Sequence, residues 1–204
     1  MTPIPVNLAT EDELSEITLI RVLASANRYA VGTPYRRGGF GYLRRTIHGW
    51  NNAAKSTPFV VLTDLDTYEC PLRLISDWLL VPKHPNLLFR VAVREVESWI
   101  LADPENLAEF PGLNRAWIPT NTDTIADPKA AIVNLARRSR SKTLRGRIVP
   151  AKNSTAKQGP DYNACLGSFV QEHWDIDTAR RNSPSLARTL DRITSFIPVW
   201  PQQY

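Results

Sequence analysis

The chain has 204 residues, 43% of them hydrophobic, which is enough for one substantial core and too apolar for a disordered protein. No apolar run approaches the ~18 residues of a membrane helix, and the opening MTPIPVNLATEDEL has no basic stretch leading into an apolar one. Neither a membrane span nor a secretory signal is therefore expected, and a cytoplasmic location is the default. The net charge of +5 is unevenly spread: residues 129–157 hold nine Lys or Arg and no Asp or Glu, while the rest has sixteen basic against twenty acidic residues. One segment makes the chain basic, and nucleic acid is the commonest polyanion such a segment meets.

Residues 3–9 (PIPVNLA) are short, apolar and β-compatible, and their prolines suit a strand start or an edge. Thr10 followed by Glu13 has capping-box spacing. Leu14, Ile17, Leu19, Ile20, Val22 and Leu23 then follow a helical period, so a strand runs straight into a helix. Residues 32–45 (GTPYRRGGFGYLRR) are basic, glycine-rich and aromatic, and helix-like IHGWNNAAK follows. The run Phe59-Val-Val-Leu-Thr63 has the mark of a strand buried on both faces of a parallel sheet, and it ends in Asp64-Leu65-Asp66. A helix is expected near 71–80, a third strand over 87–93, and a helix directly after it over 94–103.

Beyond Pro104 the texture changes. Pro111, Pro119 and Pro128 punctuate short pieces, a helix is expected over 129–138, a basic loop follows, and two helices are expected near 161–173 and 184–196. Strands alternating with helices imply an α/β fold with a mainly parallel sheet flanked by helices. The whole chain, 1–204, reads as a single domain. Its sheet core covers about 1–103, and a helical, basic C-terminal part covers about 104–204.

In open α/β sheets, sites lie beyond the carboxyl ends of the strands. Three acidic clusters fall there: Glu11, then Asp64 with Asp66, then Glu95 with Glu97. Magnesium is held by one or two carboxylates plus waters and substrate phosphates, and two aspartates spaced i, i+2 in a loop leaving a strand can reach one ion or two neighbouring ions. Glu11 could complete that set or act as a general base. Each piece alone has a plainer reading. Asp favours turns, and an acidic residue in a first helical turn is stabilised by the helix dipole. The coincidence of three clusters, each just after a strand, is the stronger signal. On a helical wheel Val96, Trp99 and Ile100 form the apolar face with Glu95 and Glu97 on opposite flanks, so one of the two is expected to face the site and the sequence leaves open which.

The order strand–Glu11–helix followed by apolar strand–Asp64-Leu-Asp66 resembles the Toprim domain of topoisomerases, primases and overcoming-lysogenization-defect nucleases. The wider pattern TEDELSE, VVLTDLD, VAVREVESWILAD, PKAAIVNLARRSRS and GPDYN is similar to bacterial Toprim-like proteins often encoded beside an ATPase in phage-defence or mobile loci. The resemblance implies a Rossmann-like Toprim fold, an acid/base role for Glu11, and Mg²⁺ (or Mn²⁺) held by Asp64 and Asp66 with Glu11. It also implies that Glu97 is a further acidic site residue. Many family members carry Glu-Gly where this chain has Glu11-Asp12. No tyrosine is placed as a topoisomerase nucleophile, so metal-assisted hydrolysis of DNA or RNA is the simpler expectation.

The segment around Arg36, Arg37, Arg44 and Arg45 interleaves arginines with aromatics and glycines, suited to phosphate pairing and base stacking or to a plain connecting loop. It lacks the GxxxxGK[ST] of a nucleotide-binding P-loop. Arg137, Arg138, Arg140, Lys142, Arg145 and Arg147 fall close together and are expected to form a basic rim for a phosphate backbone. Trp99, Trp117, Trp174 and Trp200 read as packing residues. The two cysteines form no CxxC pair, and the three histidines have no metal-ligand spacing. Two other functions compete with a nuclease. One is a non-catalytic partner subunit of an ATPase that binds nucleic acid, and the other is a small-molecule phosphohydrolase using the same acidic site.

Overall fold

The computed structural model describes residues 2–200, which form two compact units: residues 2–92 with 188–200, and residues 93–187. The first unit is an α/β layer structure of Rossmann-like type. It runs β1 (Ile4–Ala9), α1 (Glu13–Ser25), β2 (Tyr29–Tyr35), α2 (Gly39–Ala53), β3 (Phe59–Asp64), α3 (Pro71–Trp78) and β4 (Leu87–Ala92). The four strands are all parallel, in the order β2-β1-β3-β4.

Burial explains which strands were legible. In β3 every residue from Phe59 to Thr63 is buried, because helices cover both faces of a central parallel strand. By contrast β2 is an edge strand, exposed from Ala30 to Pro34, and Pro34 is tolerated because it lies at the edge. The sequence expectation placed no strand here, because the exposed residues of β2 carry no apolar pattern. The stretch 32–45 is thus the end of β2 and the start of α2. Between them Gly38 and Gly39 both take left-handed backbone (φ 76° and 61°), which glycine adopts without penalty.

The first helix starts later than the capping-box spacing predicts. Thr10 is still held by the sheet, its N–H donating to the Tyr35 carbonyl at 3.1 Å. The cap is Asp12, whose carboxylate accepts from the Ser15 N–H at 2.8 Å. The end of the chain is tied back into the same unit. Tyr29 Oη donates to the Ile193 carbonyl at 2.5 Å, and Asn86 exchanges two hydrogen bonds of 2.8 Å with the Val199 backbone.

The second unit is helical: α4 (Glu97–Leu101), α5 (Pro104–Glu109), α6 (Pro128–Arg137), α7 (Lys142–Ile148), α8 (Tyr162–Glu172), α9 (Ile176–Asn182) and the start of α10 (Pro184–Thr194), which ends in the first unit. Its core gathers Trp99, Tyr162, Phe169 and Trp174. Their polar atoms are satisfied inside it: Trp99 Nε1 donates to Ser185 Oγ at 2.7 Å and Trp174 Nε1 to the Trp99 carbonyl at 3.3 Å. The expected helix over 94–103 is confined to α4, since residues 94–96 form a turn in which Ser98 Oγ donates to the Val93 carbonyl at 2.6 Å. The expected basic loop contains α7, and α9 was not anticipated. Cys70 and Cys165 are both free.

Candidate functional site

The strand order places a topological switch point between β1 and β3. The crossover from β1 leads outward to β2, while β3 continues the sheet the other way, so a crevice opens at the carboxyl ends of these two strands. Glu11 stands just after β1 and Asp64 ends β3. Glu11 leans across the gap, and its Oε1 accepts from the Thr63 hydroxyl and from the Asp64 N–H, the latter at 2.9 Å. Thr63 was missed in the sequence, where it reads only as the last residue of an apolar run.

The Asp64-Leu65-Asp66 turn is pinned by its middle residue. Leu65 is buried, and its N–H donates to the Ala92 carbonyl at 2.9 Å. Asp64 is left half-buried and Asp66 exposed. Asp66 has left-handed backbone (φ 48°), a conformation for which Asp is among the better-suited non-glycine residues. Burial pushes the Glu11 carboxyl above its ordinary range. The two hydrogen bonds pull it down, and the charges of Asp66 and Asp12 push it up again. Glu11 is thus tied to the backbone of the Asp64-Leu65-Asp66 turn, close enough to feel the Asp66 charge.

This all-oxygen donor set fits a hard divalent cation. Magnesium needs only one or two protein carboxylates beside waters and phosphates. Among the described residues no group of three or more His, Cys, Asp or Glu side chains is placed to hold a metal ion, so any ion here would take most of its ligands from water and substrate.

Glu95 and Glu97 belong to the second unit, and both meet Lys129 at the start of α6. Glu95 Oε2 accepts from the Lys129 N–H at 3.0 Å. Glu97 is buried, with Oε1 3.4 Å from Lys129 Nζ and accepting from Tyr162 Oη at 3.2 Å. The helical-wheel expectation of opposite flanks fails here because Glu95 precedes the helix. Lys129 and Tyr162 were not singled out in the sequence; the signal available for both was their place in the PKAAI and GPDYN segments.

The basic candidates divide by what they already touch. Arg36 pairs with Glu16 at 3.1 Å and Glu13 at 4.0 Å. Arg145 donates to the Ser139 carbonyl beyond the end of α6, and Arg147 pairs with Asp161 at 3.2 Å. Arg37, Arg44, Arg45, Arg137, Arg138, Arg140 and Lys142 are exposed and form no ion pair among the described residues. A cleft of about 880 Å³ in the second unit is lined by Glu95, Lys129, Arg137, Lys152 and Lys157, among others. Trp99 and Trp174 are core residues as expected, but Trp117 and Trp200 are 43% and 47% exposed, so the packing expectation fails for these two.

No known protein family, curated protein or solved structure matches this chain. Among the described residues no helix is long and apolar enough to cross a membrane.

Proposed function

We propose that the chain is a Mg²⁺-dependent nuclease of Toprim-like type, hydrolysing phosphodiester bonds in DNA or RNA. The observation that carries this reading is the Glu11 carboxylate bonded to the Asp64 N–H at the switch point of a parallel sheet, with Asp66 two residues further on. Glu11, Asp64 and Asp66 would hold the ion, which supplies charge neutralisation at the phosphate and a more acidic water. The chain's own residues do the rest. Thr63 and the Asp64 N–H fix the Glu11 carboxylate through Oε1, which positions it to take a proton from an attacking water. As that water's oxygen bonds to phosphorus, the bond to the leaving sugar oxygen breaks. The unpaired arginines of the second unit offer sequence-independent contacts to a phosphate backbone.

The resemblance to Toprim-like proteins encoded beside ATPases supports a partner ATPase and a role in phage defence. The alternative, a non-catalytic nucleic-acid-binding subunit of such an ATPase, uses the same basic surface without the acidic site. Calorimetric titration of Mg²⁺ and Mn²⁺ into wild type and the Asp64→Ala plus Asp66→Ala double variant, with plasmid cleavage on the same samples, separates the two. The expected result is metal binding and cleavage in wild type, with both lost in the double variant. Metal binding without cleavage favours dependence on a partner. No metal binding by wild type removes the nuclease reading for the free chain.

A further inference from the structure

Trp117 presents its indole at the surface. It sits in a 3-10 turn, Arg115–Trp117, that is fixed on three sides. Asn114 Oδ1 accepts from the Ala116 N–H at 2.9 Å, the Trp117 N–H donates to the Asn114 carbonyl at 3.0 Å, and Arg115 Nε donates to Glu105 on α5 at 2.9 Å. The Arg138 guanidinium lies 5.2 Å from the indole centroid, a cation–π contact. These groups border a cleft of about 610 Å³, which Arg140 and Glu109 also line.

The chemistry of this cleft is specific. Its large aromatic ring is 43% exposed. Arg138 and Arg140 form no ion pair among the described residues, while the Glu105 charge is already met by Arg115. Glu109 is the remaining carboxylate on the rim. The charge left over is small and positive, which matches one or two phosphates rather than a polyphosphate. An exposed indole with the Arg138 guanidinium against one face and Arg140 beside it in the cleft suits a ligand with a flat face, for the ring's other side, and a monoanionic backbone. Unpaired nucleotides have both, whereas a duplex hides the faces of its bases.

Resting on the nucleic-acid reading above, we propose that this cleft of the second unit binds a single-stranded segment of DNA or RNA, with Trp117 stacking one unpaired base and Arg138 and Arg140 holding the flanking phosphates. The preference for single strands is then built into the second unit, whatever chemistry the carboxylates perform.

The test is fluorescence anisotropy with the full chain in EDTA, using labelled short oligothymidylate, oligouridylate and the same oligothymidylate annealed to oligoadenylate. Wild type is expected to bind both single strands more tightly than the duplex. Trp117→Ala should weaken single-strand binding about tenfold while Trp117→Phe keeps most of it, and duplex binding should not change. If Trp117→Ala melts earlier than wild type, Arg140→Gln, at an exposed side chain, gives the second reading and should also weaken single-strand binding. Equal weakening on single strand and duplex, no effect of either variant, or no binding by wild type would each overturn the proposal. Tighter binding of one single strand supports it and says which sugar is preferred. Metal-free binding keeps this outcome separate from cleavage: a chain that stacks a base through Trp117 but never cleaves loses only the nuclease reading.

Discussion

Two carboxylates show how differently one side chain can be used. Glu11 is half-buried; burial raises its pKa, two hydrogen bonds lower it, and the charges of Asp66 and Asp12 raise it further. Asp103, between α4 and α5, is fully buried and structural. Its Oδ2 accepts from the Asp175 N–H at 2.7 Å and from Asn106 Nδ2 at 2.9 Å, while Oδ1 has no partner. Burial pushes its pKa up, partly opposed by those donors. The folded pKa therefore lies above the unfolded one. The contribution to stability is complete below the unfolded value, and it is lost as pH rises through the folded value. Asp103→Asn keeps a carbonyl oxygen for the Asp175 N–H and carries no ionisation cost. Melting both proteins at a series of pH values from acid to neutral should show the variant gaining on wild type as pH rises. A difference in Tm that stays constant with pH would show that Asp103 titrates as it does in the unfolded chain.

At the scale of elements, the turn joining α7 to α8 depends on a missing side chain. Gly159 donates its N–H to the Ile148 carbonyl at 2.8 Å, and Asp161 donates to the Arg147 carbonyl at 3.1 Å. A Cβ on Gly159 would lie 2.3 Å from the Arg147 carbonyl oxygen and 2.6 Å from the Ile148 carbonyl carbon, both backbone atoms that cannot swing aside. Gly159→Ala should cost about 1–3 kcal/mol as overpacking and lower Tm by roughly 3–10 °C. Gly146→Ala in α7, where a Cβ meets nothing within 4 Å, should instead raise stability by up to ~1 kcal/mol. Thermal melts of the two variants compare close approach with helix propensity. The same contrast between buried and open positions decided which elements could be read from the sequence. The strand β3 was legible because it is apolar throughout. The edge strand β2 was not, since exposed YAVGTPY has no pattern to follow. In α7 only Ile148 is buried, and in α9 only Ile176 and Ala179, so neither offers a helical stripe.

Across the whole molecule, the carboxylates of the first unit and the charge of the second were legible for different reasons. A parallel sheet gathers the residues that follow its strands, so Glu11, Asp64 and Asp66 could be placed by counting from strand ends. A count of charges found the basic segment, but not which charges were free. Only folding shows that Arg36 is matched by Glu16 and Arg147 by Asp161, while Arg137 and Arg140 have no ion-pair partner among the described residues. Trp117 was opaque as well, because nothing in its sequence neighbourhood says that the ring stays outside. The distinction between matched and unmatched cations has a thermodynamic consequence. A cation that releases a counterion from a phosphate adds to the salt dependence of binding, about 0.7 in the slope of log K against log salt for each single-strand contact. A cation already neutralised by its own carboxylate adds little. Arg137→Ala plus Arg140→Ala should flatten the slope for oligothymidylate by about 1.4, whereas Arg36→Ala should leave it unchanged. Anisotropy titrations in EDTA at several salt concentrations measure both. Equal flattening in the two variants would mean that total charge, and not the unmatched cations of the second unit, draws the chain to nucleic acid.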